Sequence, residues 1–148
     1  MEAVLVRPIA ASETHDLRRS VLRNGDPSAL VSWPEDDRPT AFHLGVSDGD
    51  EVAGVASFSE EPLPVRPGEH AWRLRGMAVI DSHQGRGLGR ALLDDAVRRL
   101  RAMGATVLWC NARDTAMKFY ADNGFVVVGD GFNTDETGLP HHVMVLDL

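Results

Sequence analysis

Leu74-Arg-Gly-Met-Ala-Val-Ile-Asp-Ser-His-Gln-Gly-Arg-Gly-Leu-Gly-Arg90 runs from an extended, β-type segment through three closely spaced glycines directly into a helix. Leu88 opens that helix. Leu88, Leu92, Leu93, Ala96, Val97, Leu100 and Met103 fall on one side, Asp94 with Arg98 and Asp95 with Arg99 form exposed i,i+4 pairs, and Gly104 ends it. Gly85, Gly87 and Gly89 remove side chains where the first helical turn begins. Unpaired backbone NH groups can then converge on a diphosphate, and the helix dipole favours its charge. The same glycines would equally serve a tight turn that lets strand and helix pack closely. Two phosphate loops are excluded. No Gly-Lys-Ser/Thr follows the glycines, and the run G-x-G-x-G lacks the spacing of the dinucleotide fingerprint G-x-G-x-x-G.

Working upstream, Ala71 to Ile80 alternates as a strand, and the prolines at 62, 64 and 67 make Ser59 to Gly68 a loop. Thr40 to Val46 and Glu51 to Phe58 flank Ser47-Asp48-Gly49-Asp50 and predict a hairpin. Ala3 to Ile9 predicts a first strand. Ser12 is placed to cap a helix from Glu13 to Arg23, with Leu17, Val21 and Leu22 as its apolar stripe and Asn24-Gly25 as its stop. Asp26 to Arg38 reads as a loop with a helical turn near Ser28 to Ser32. Downstream, Ala105 to Cys110 predicts a buried strand, and Asp114 caps a short helix to Asp122 that stops at Asn123-Gly124. Phe125 to Gly129 and His142 to Leu146 predict two strands joined by a link from Asp130 to Leu139. Phe42, Phe58, Trp72 and Trp109 read as core. This order predicts an α/β chain with a mixed sheet and helices on both faces.

Of the 148 residues, 43% are apolar, which predicts one domain spanning residues 1–148. Fifteen Lys and Arg against 22 Asp and Glu give a net charge of −7. With a pI near 5.2, this balance argues against nucleic acid and anionic membrane as partners. Cys110 is the single cysteine, which excludes an internal disulfide. The start MEAVLVRPIA lacks the apolar run of a secretion signal, and no apolar run approaches a membrane span, so a cytoplasmic location is expected.

The segment Gln84-Gly-Arg-Gly87-Leu-Gly89 resembles the acetyl-CoA signature of the GCN5-related N-acetyltransferases (GNAT), Gln/Arg-x-x-Gly-x-Gly/Ala at a strand-to-helix junction. A second motif of that family, Ala-x-x-Phe/Leu-Tyr-x-x-x-Gly-Phe, stands as Ala116-Met-Lys-Phe-Tyr120-Ala-Asp-Asn-Gly124-Phe125. The resemblance implies a GNAT-like fold, a mixed and mostly antiparallel sheet of six to seven strands flanked by helices on both faces. It implies acetyl-CoA as acyl donor, an amine as acceptor, no metal, and a homodimer through the C-terminal strands. By the family's pattern the backbone of Met77, Ala78 and Val79 pairs with the pantetheine arm, and Gln84, Gly85, Arg86, Gly87, Leu88, Gly89 and Arg90 surround the pyrophosphate. Many members carry Asn seven residues before the tyrosine. Here that position is Arg113, so the contact to the cofactor arm is shared as an expectation between Asn111 and Arg113.

The implied reaction is direct transfer of an acetyl group from a thioester to a primary amine through a tetrahedral oxyanion. The backbone NH of Met77 or Ala78, beside Gly76 where the strand can bulge, is the candidate oxyanion donor. Tyr120, the only tyrosine, matches the family's general acid and also counts among the cofactor-binding residues. An alkyl ammonium, with a pKa of about 10, must lose a proton before attack, and the candidate bases are Glu60, Glu61, His70, Asp81, His83, His141 and His142. Arg73 and Arg75 either pair with Glu60 or Glu61, the favoured reading, or hold a carboxylate or phosphate of the acceptor. The acids Asp26, Glu35, Asp36, Asp37, Glu60 and Glu61 would suit a cationic amine. Cys110 reads as core rather than as a nucleophile, and adjacent His141 and His142 point to opposite faces, which argues against a metal site. A non-catalytic acyl-CoA-binding module and a transferase for longer acyl chains are the competing readings.

Overall fold

The computed structural model describes residues 4–148, so the Ala3 end of the expected first strand lies outside the described residues. Seven strands form one sheet in the order β1-β2-β3-β4-β5-β7-β6. They are β1 (Leu5–Ile9), β2 (Phe42–Asp48), β3 (Glu51–Glu60), β4 (Ala71–Val79), β5 (Val107–Arg113), β6 (Val126–Asn133) and β7 (Pro140–Asp147). Every neighbouring pair is antiparallel except β4 with β5. Three helices cover the sheet: α1, a continuous helical stretch over 11–22, α2 (Leu88–Ala102) and α3 (Met117–Asp122). The mixed sheet with helices on both faces matches the fold class expected.

The long helix α2 forms because its apolar residues recur at helical spacing. Leu88, Leu92, Leu93, Ala96 and Leu100 bury against Leu44, Phe58, Trp72, Leu74 and Leu108 from four strands. Each large side chain buried this way contributes roughly 1.5–3 kcal/mol. Two details differ from expectation. Met103 stays 47% exposed because the last turn runs past the sheet. Asp95 is buried rather than exposed and takes both Arg99 and Arg98, whereas Asp94 faces outward with Arg90 at 3.8 Å in place of Arg98.

On the opposite face α1 packs Leu17 against Ile9, Val55 and Ala78. It is not one α-helix: a 3-10 start (Ala11–Thr14) leads through His15–Leu17 into a π segment, Arg18–Leu22. Ser12 lies within the first turn instead of capping it. Ala10 is the cap residue, and its NH donates to the Glu13 carboxylate at 3.0 Å. Asn24 and Gly25, at φ 51° and 76°, stop the helix where the sequence places the stop. The helical turn expected at Ser28 to Ser32 is absent. A 3-10 turn forms instead at Pro34–Asp37, where Pro34 presets the first helical φ.

The β2–β3 hairpin is tighter than expected, turning at Gly49-Asp50 with Gly49 at φ 64°. β3 continues through Ser59 and Glu60 before the proline loop begins. β5 starts two residues late because the Ala105 NH closes the end of α2 on the Leu100 carbonyl at 3.0 Å. β6 swerves at Gly129 (φ 80°) and rejoins β7 at Phe132 and Asn133, which shortens the expected link to 134–139.

Two features of β4 open the centre of the sheet. β4 and β5 pair in parallel only from Ala71 with Val107 to Arg73 with Trp109, and then separate. Within β4, Gly76 and Met77 together occupy the register position facing Ala56, a bulge made possible by Gly76 at φ 66°. The bulge inverts the alternation. Trp72 and Leu74 lie in the α2-side core before it, and Met77 and Val79 pack there after it, while Ala78 joins the α1 side.

The glycines of the turn differ from one another. Gly85 and Gly87 adopt φ 81° with open space around them, whereas a Cβ on Gly89 would lie 2.8 Å from the Phe119 ring of α3. Gly89→Ala is therefore expected to cost about 1–3 kcal/mol through overpacking, and Gly85→Ala roughly 1–2 kcal/mol through backbone strain alone. Urea denaturation checks both. Phe119→Leu should restore part of the loss in the Gly89→Ala background and none in the Gly85→Ala background.

Candidate active site

The separation of β4 from β5 opens a cleft of about 590 Å³ that reaches both sides of the sheet. Leu74 to Met77 forms one edge and Cys110 to Arg113 the other. A strand edge without a neighbour leaves backbone NH and carbonyl groups with nothing to pair with. Tyr120 lines the cleft from α3, and Trp33, Glu35 and the 132–137 segment line it from the α1 side and from the β6–β7 link.

Tyr120 is held by edge-to-face contacts to Phe119 and Phe125, with ring centroids 5.1 and 5.3 Å apart. Among the described residues its hydroxyl meets no hydrogen-bond partner. Burial pushes its ionisation well above the ordinary tyrosine value, so the hydroxyl keeps its proton. Cys110 also borders the cleft, and burial pushes its thiol up to about 12. It remains a neutral thiol, as the core reading expects.

The glycine turn lies beyond the far end of β4. Gln84 spans it, its amide donating to the Val79 carbonyl and the Asp81 carboxylate at 3.1 Å each. Gly87 is the cap residue of α2 and no side chain caps the helix, so the NH groups of its first turn lack a protein acceptor. Leu88 sends its side chain into the core, leaving only its backbone at the turn. Arg86 and Arg90 flank the turn with loose pairs, to Asp48 at 3.6 Å and to Asp94 at 3.8 Å. Ala78 is buried against Val55 and Val79 is half-buried, both paired with β3, and neither is among the residues that line the cleft.

Asn111 and Arg113 both border the cleft on the α1 side. Among the described residues the Asn111 amide has no hydrogen-bond partner. The Arg113 guanidinium is half-buried and donates to the Leu22 carbonyl at 2.9 Å, at the end of α1, rather than ion-pairing on the surface. Arg73 and Arg75 converge on Glu61 at 2.7 and 2.9 Å, and Arg73 lies over the Trp109 ring at 4.8 Å. Glu61, not Glu60, is thus their partner. Glu60 instead meets His70 at 3.3 Å.

The candidate bases separate clearly. His83 is engaged by Asp48 and His142 by Asp114, each at 2.7 Å, and Asp81 accepts from Gln84 at 3.1 Å. Asp114 consequently reaches across to β7 instead of capping its helix. His141 is the one that lines the cleft. Its Nδ1 lies 2.8 Å from the Leu139 carbonyl. A carbonyl only accepts, so Nδ1 carries a proton, and in the neutral imidazole the lone pair is on Nε2. Among the described residues no group of three or more His, Cys, Asp or Glu is placed to hold a metal ion.

A buried cluster beside the cleft was not legible in the sequence. Arg18 is fully buried and makes two bonds to Asp36 (2.7 and 2.9 Å), one to the Val31 carbonyl (2.7 Å) and one to Ser57 (2.7 Å). Its guanidinium stacks on Trp33 at 3.9 Å. Arg18 and Trp33 together press on the Gly76 bulge, where a Cβ would meet them at 3.0–3.2 Å. His43 completes the cluster through Ser57 at 2.7 Å.

A family model described as Acetyltransferase (GNAT) family matches residues 11–125. The uncharacterized N-acetyltransferase YitI of Bacillus subtilis is 31% identical over 140 residues, 95% of this chain and 93% of its own. FeeM, an N-acyl amino acid synthase from uncultured soil microbes, superposes with a TM-score of 0.83 at 13% identity over 99% of this chain and 92% of its own. A chain of the NatC complex bound to Gag peptide and CoA gives 0.75 at 15% identity over 99% of both chains. At those identities the two structures speak to the fold alone.

For Asp36 and Glu61, burial on its own would raise the carboxyl pKa, but the hydrogen bonds and charge of their arginines outweigh it and hold both below the ordinary range. A depressed carboxylate contributes stability that is fully present above the unfolded value, about 3.8 for Asp and 4.5 for Glu, and is lost as pH falls through the folded value. Unfolding free energy in urea is therefore expected to fall steeply below that range. Glu61→Gln should lower it near neutral pH and make its acid dependence shallower.

Proposed function

The chain belongs to the acetyltransferase (GNAT) family, and on that premise we propose that it transfers an acetyl group directly from acetyl-CoA to a primary amine, with Tyr120 as general acid. The family uses acetyl-CoA as a substrate. The parting of β4 and β5 carries the reading, because it leaves an extended backbone edge and a protonated tyrosine on the walls of one cleft.

In this reading the backbone of Met77, Ala78 and Val79, on the edge of β4 that β5 has left, takes the pantetheine arm as an added strand. The pyrophosphate lies on the backbone NH groups of Gly85 to Arg90, with Arg86 and Arg90 adding charge and Gln84 holding the turn in shape. Asn111, whose amide is unengaged, takes the cofactor-arm contact, while Arg113 is occupied by Leu22. The bulge at Gly76 takes Met77 out of register with β3, whereas Ala78 resumes the pairing opposite Val55, so of the two it is the Met77 NH that suits a donor to the thioester oxygen as it becomes an oxyanion.

His141 supplies the base. Its Nε2 takes a proton from the acceptor ammonium, the free amine attacks the thioester carbon, and a tetrahedral oxyanion forms. Collapse breaks the carbon–sulfur bond and Tyr120 protonates the leaving thiolate, while the attacking nitrogen gives up its second proton as the amide forms, and that proton restores the tyrosine hydroxyl. The Leu139 carbonyl fixes the imidazole tautomer this requires.

Incubation with acetyl-CoA and an amine library, following thiol release and product mass, tests the activity. Tyr120→Phe is expected to lower kcat by about 10²-fold or more. Because the Tyr120 hydroxyl stays protonated, no alkaline loss of activity from this group is expected in wild type across the range in which the fold is stable. His141→Asn is expected to lower kcat/KM by about 10²-fold or more. Unchanged kcat/KM in Tyr120→Phe at every pH would remove the acid role.

A further inference from the structure

Two guanidiniums share one carbonyl at the wall of the cleft. Arg23 Nη1 and Arg113 Nη2 both donate to the Leu22 oxygen, at 3.1 and 2.9 Å. The Arg23 side chain is only 18% exposed, and its one carboxylate is the 73% exposed Glu136 at a loose 3.4 Å. Arg113 has no carboxylate within ion-pair distance among the described residues. Two neighbouring cations withdrawn from water with so little compensation are costly, and an anionic ligand would relieve that cost. Burial first, and the Arg23 charge second, press on the Arg113 proton.

The other arginines of the cleft have carboxylate partners. Arg73 and Arg75 have Glu61, and Arg75 has Glu35 at 3.7 Å besides. The acids that the sequence offered to a cationic acceptor are largely engaged as well. Asp36 is taken by Arg18, Glu61 by Arg73 and Arg75, Glu60 by His70, and Asp26 by Ser28. What the cleft lacks is an anion at Arg23 and Arg113.

The position of the pair indicates which substrate brings that anion. Counting on from Arg73 opposite Trp109 in the parallel register places Arg113 level with the Met77 bulge. The glycine turn assigned to the cofactor's phosphates begins eight residues further along the chain, at Gly85. Arg113 also faces His141 directly across the β5–β7 ladder. We infer that the acceptor is an amine that also carries a carboxylate, of the amino-acid class, and that this carboxylate docks on Arg23 and Arg113, displacing Glu136, with the amine directed to His141. The inference rests on the proposed acetyl transfer.

The test compares amino acids of graded amine-to-carboxylate spacing with their primary carboxamides. Wild type is expected to favour the best carboxylate over its carboxamide by about tenfold or more in kcat/KM, since the amide leaves both guanidiniums unpaired. Arg23→Gln and Arg113→Gln should each bring that ratio towards one, and Glu136→Gln, which removes the competing carboxylate, should lower KM for the carboxylate acceptor. Equal use of carboxylates and carboxamides by wild type would overturn the inference. So would an Arg113→Gln variant that raises KM for acetyl-CoA and leaves the ratio intact, because Arg113 would then serve the cofactor. If no amine is acetylated, the transfer reading fails separately, and calorimetric titration of the CoA-saturated protein with N-acetyl amino acids still decides. Binding by wild type that is lost in Arg113→Gln supports the carboxylate site, whereas equal binding or none overturns it.

Discussion

β4 and β5 stay together for three residue pairs and then part. The rest of the molecule is arranged around that separation. A central pair of strands that gives up its ladder loses backbone hydrogen bonds, and the loss is tolerable only where another partner can take them. The vertex is held by Arg73 lying over Trp109, the last paired residues. Beyond it the Gly76 bulge inverts which side chains of β4 face each layer. Tyr120 from the α2 and α3 side and the arginines from the α1 side can therefore border one opening through the sheet. Had β4 continued as a regular strand beside β5, these groups would have been separated by a closed layer.

The α1 wall of the opening depends on Arg18. A fully buried guanidinium needs partners for its donors, and here Asp36, Val31 and Ser57 take four hydrogen bonds from the two Nη groups while Trp33 covers its face and only the Nε is left without a partner among the described residues. Through this one side chain the loop after α1 is tied both to the helix and to β3. The π segment that begins at Arg18 is consistent with a helix whose register yields to a buried tertiary contact. Trp33 and the Arg18 Nε then close against Gly76, so the bulge is supported from behind as well as permitted by its glycine.

Local chemistry in the sequence was enough to find the elements that local chemistry builds. The α2 stripe, the β2–β3 turn at Gly49-Asp50 and the Asn24-Gly25 stop were all legible, because each rests on spacing or on a positive φ within a few residues. The glycine turn was legible as a pair of alternatives, and the close-packing one is met at Gly89, which is small for Phe119, while Gly85 and Gly87 serve the conformation of an uncapped helix start. The Arg18 cluster was not legible, since its partners lie 13, 18 and 39 residues away. Asp36 accordingly read as one acid among many in a loop. Ser12 and Asp114 misled for a related reason: a polar residue at a helix start reads as a cap, but Glu13 reached the Ala10 NH first and Asp114 found His142.

The net charge of −7 concealed how the charges are placed. Arg23, Arg73, Arg75 and Arg113 line the cleft, and the single lysine, Lys118, lies on α3 with its side chain 88% exposed. Two properties favour guanidinium in such a place. Arginine keeps its proton when partly buried, whereas a desolvated lysine sheds it and becomes nucleophilic. In the proposed reading, where the cleft takes the thioester, a neutral lysine there would be an amine competing with the acceptor. A guanidinium provides charge and directed donors without a free amine lone pair. On that reading the cleft can be lined with guanidinium charge and still leave the acceptor as the only amine within reach of the acyl carbon.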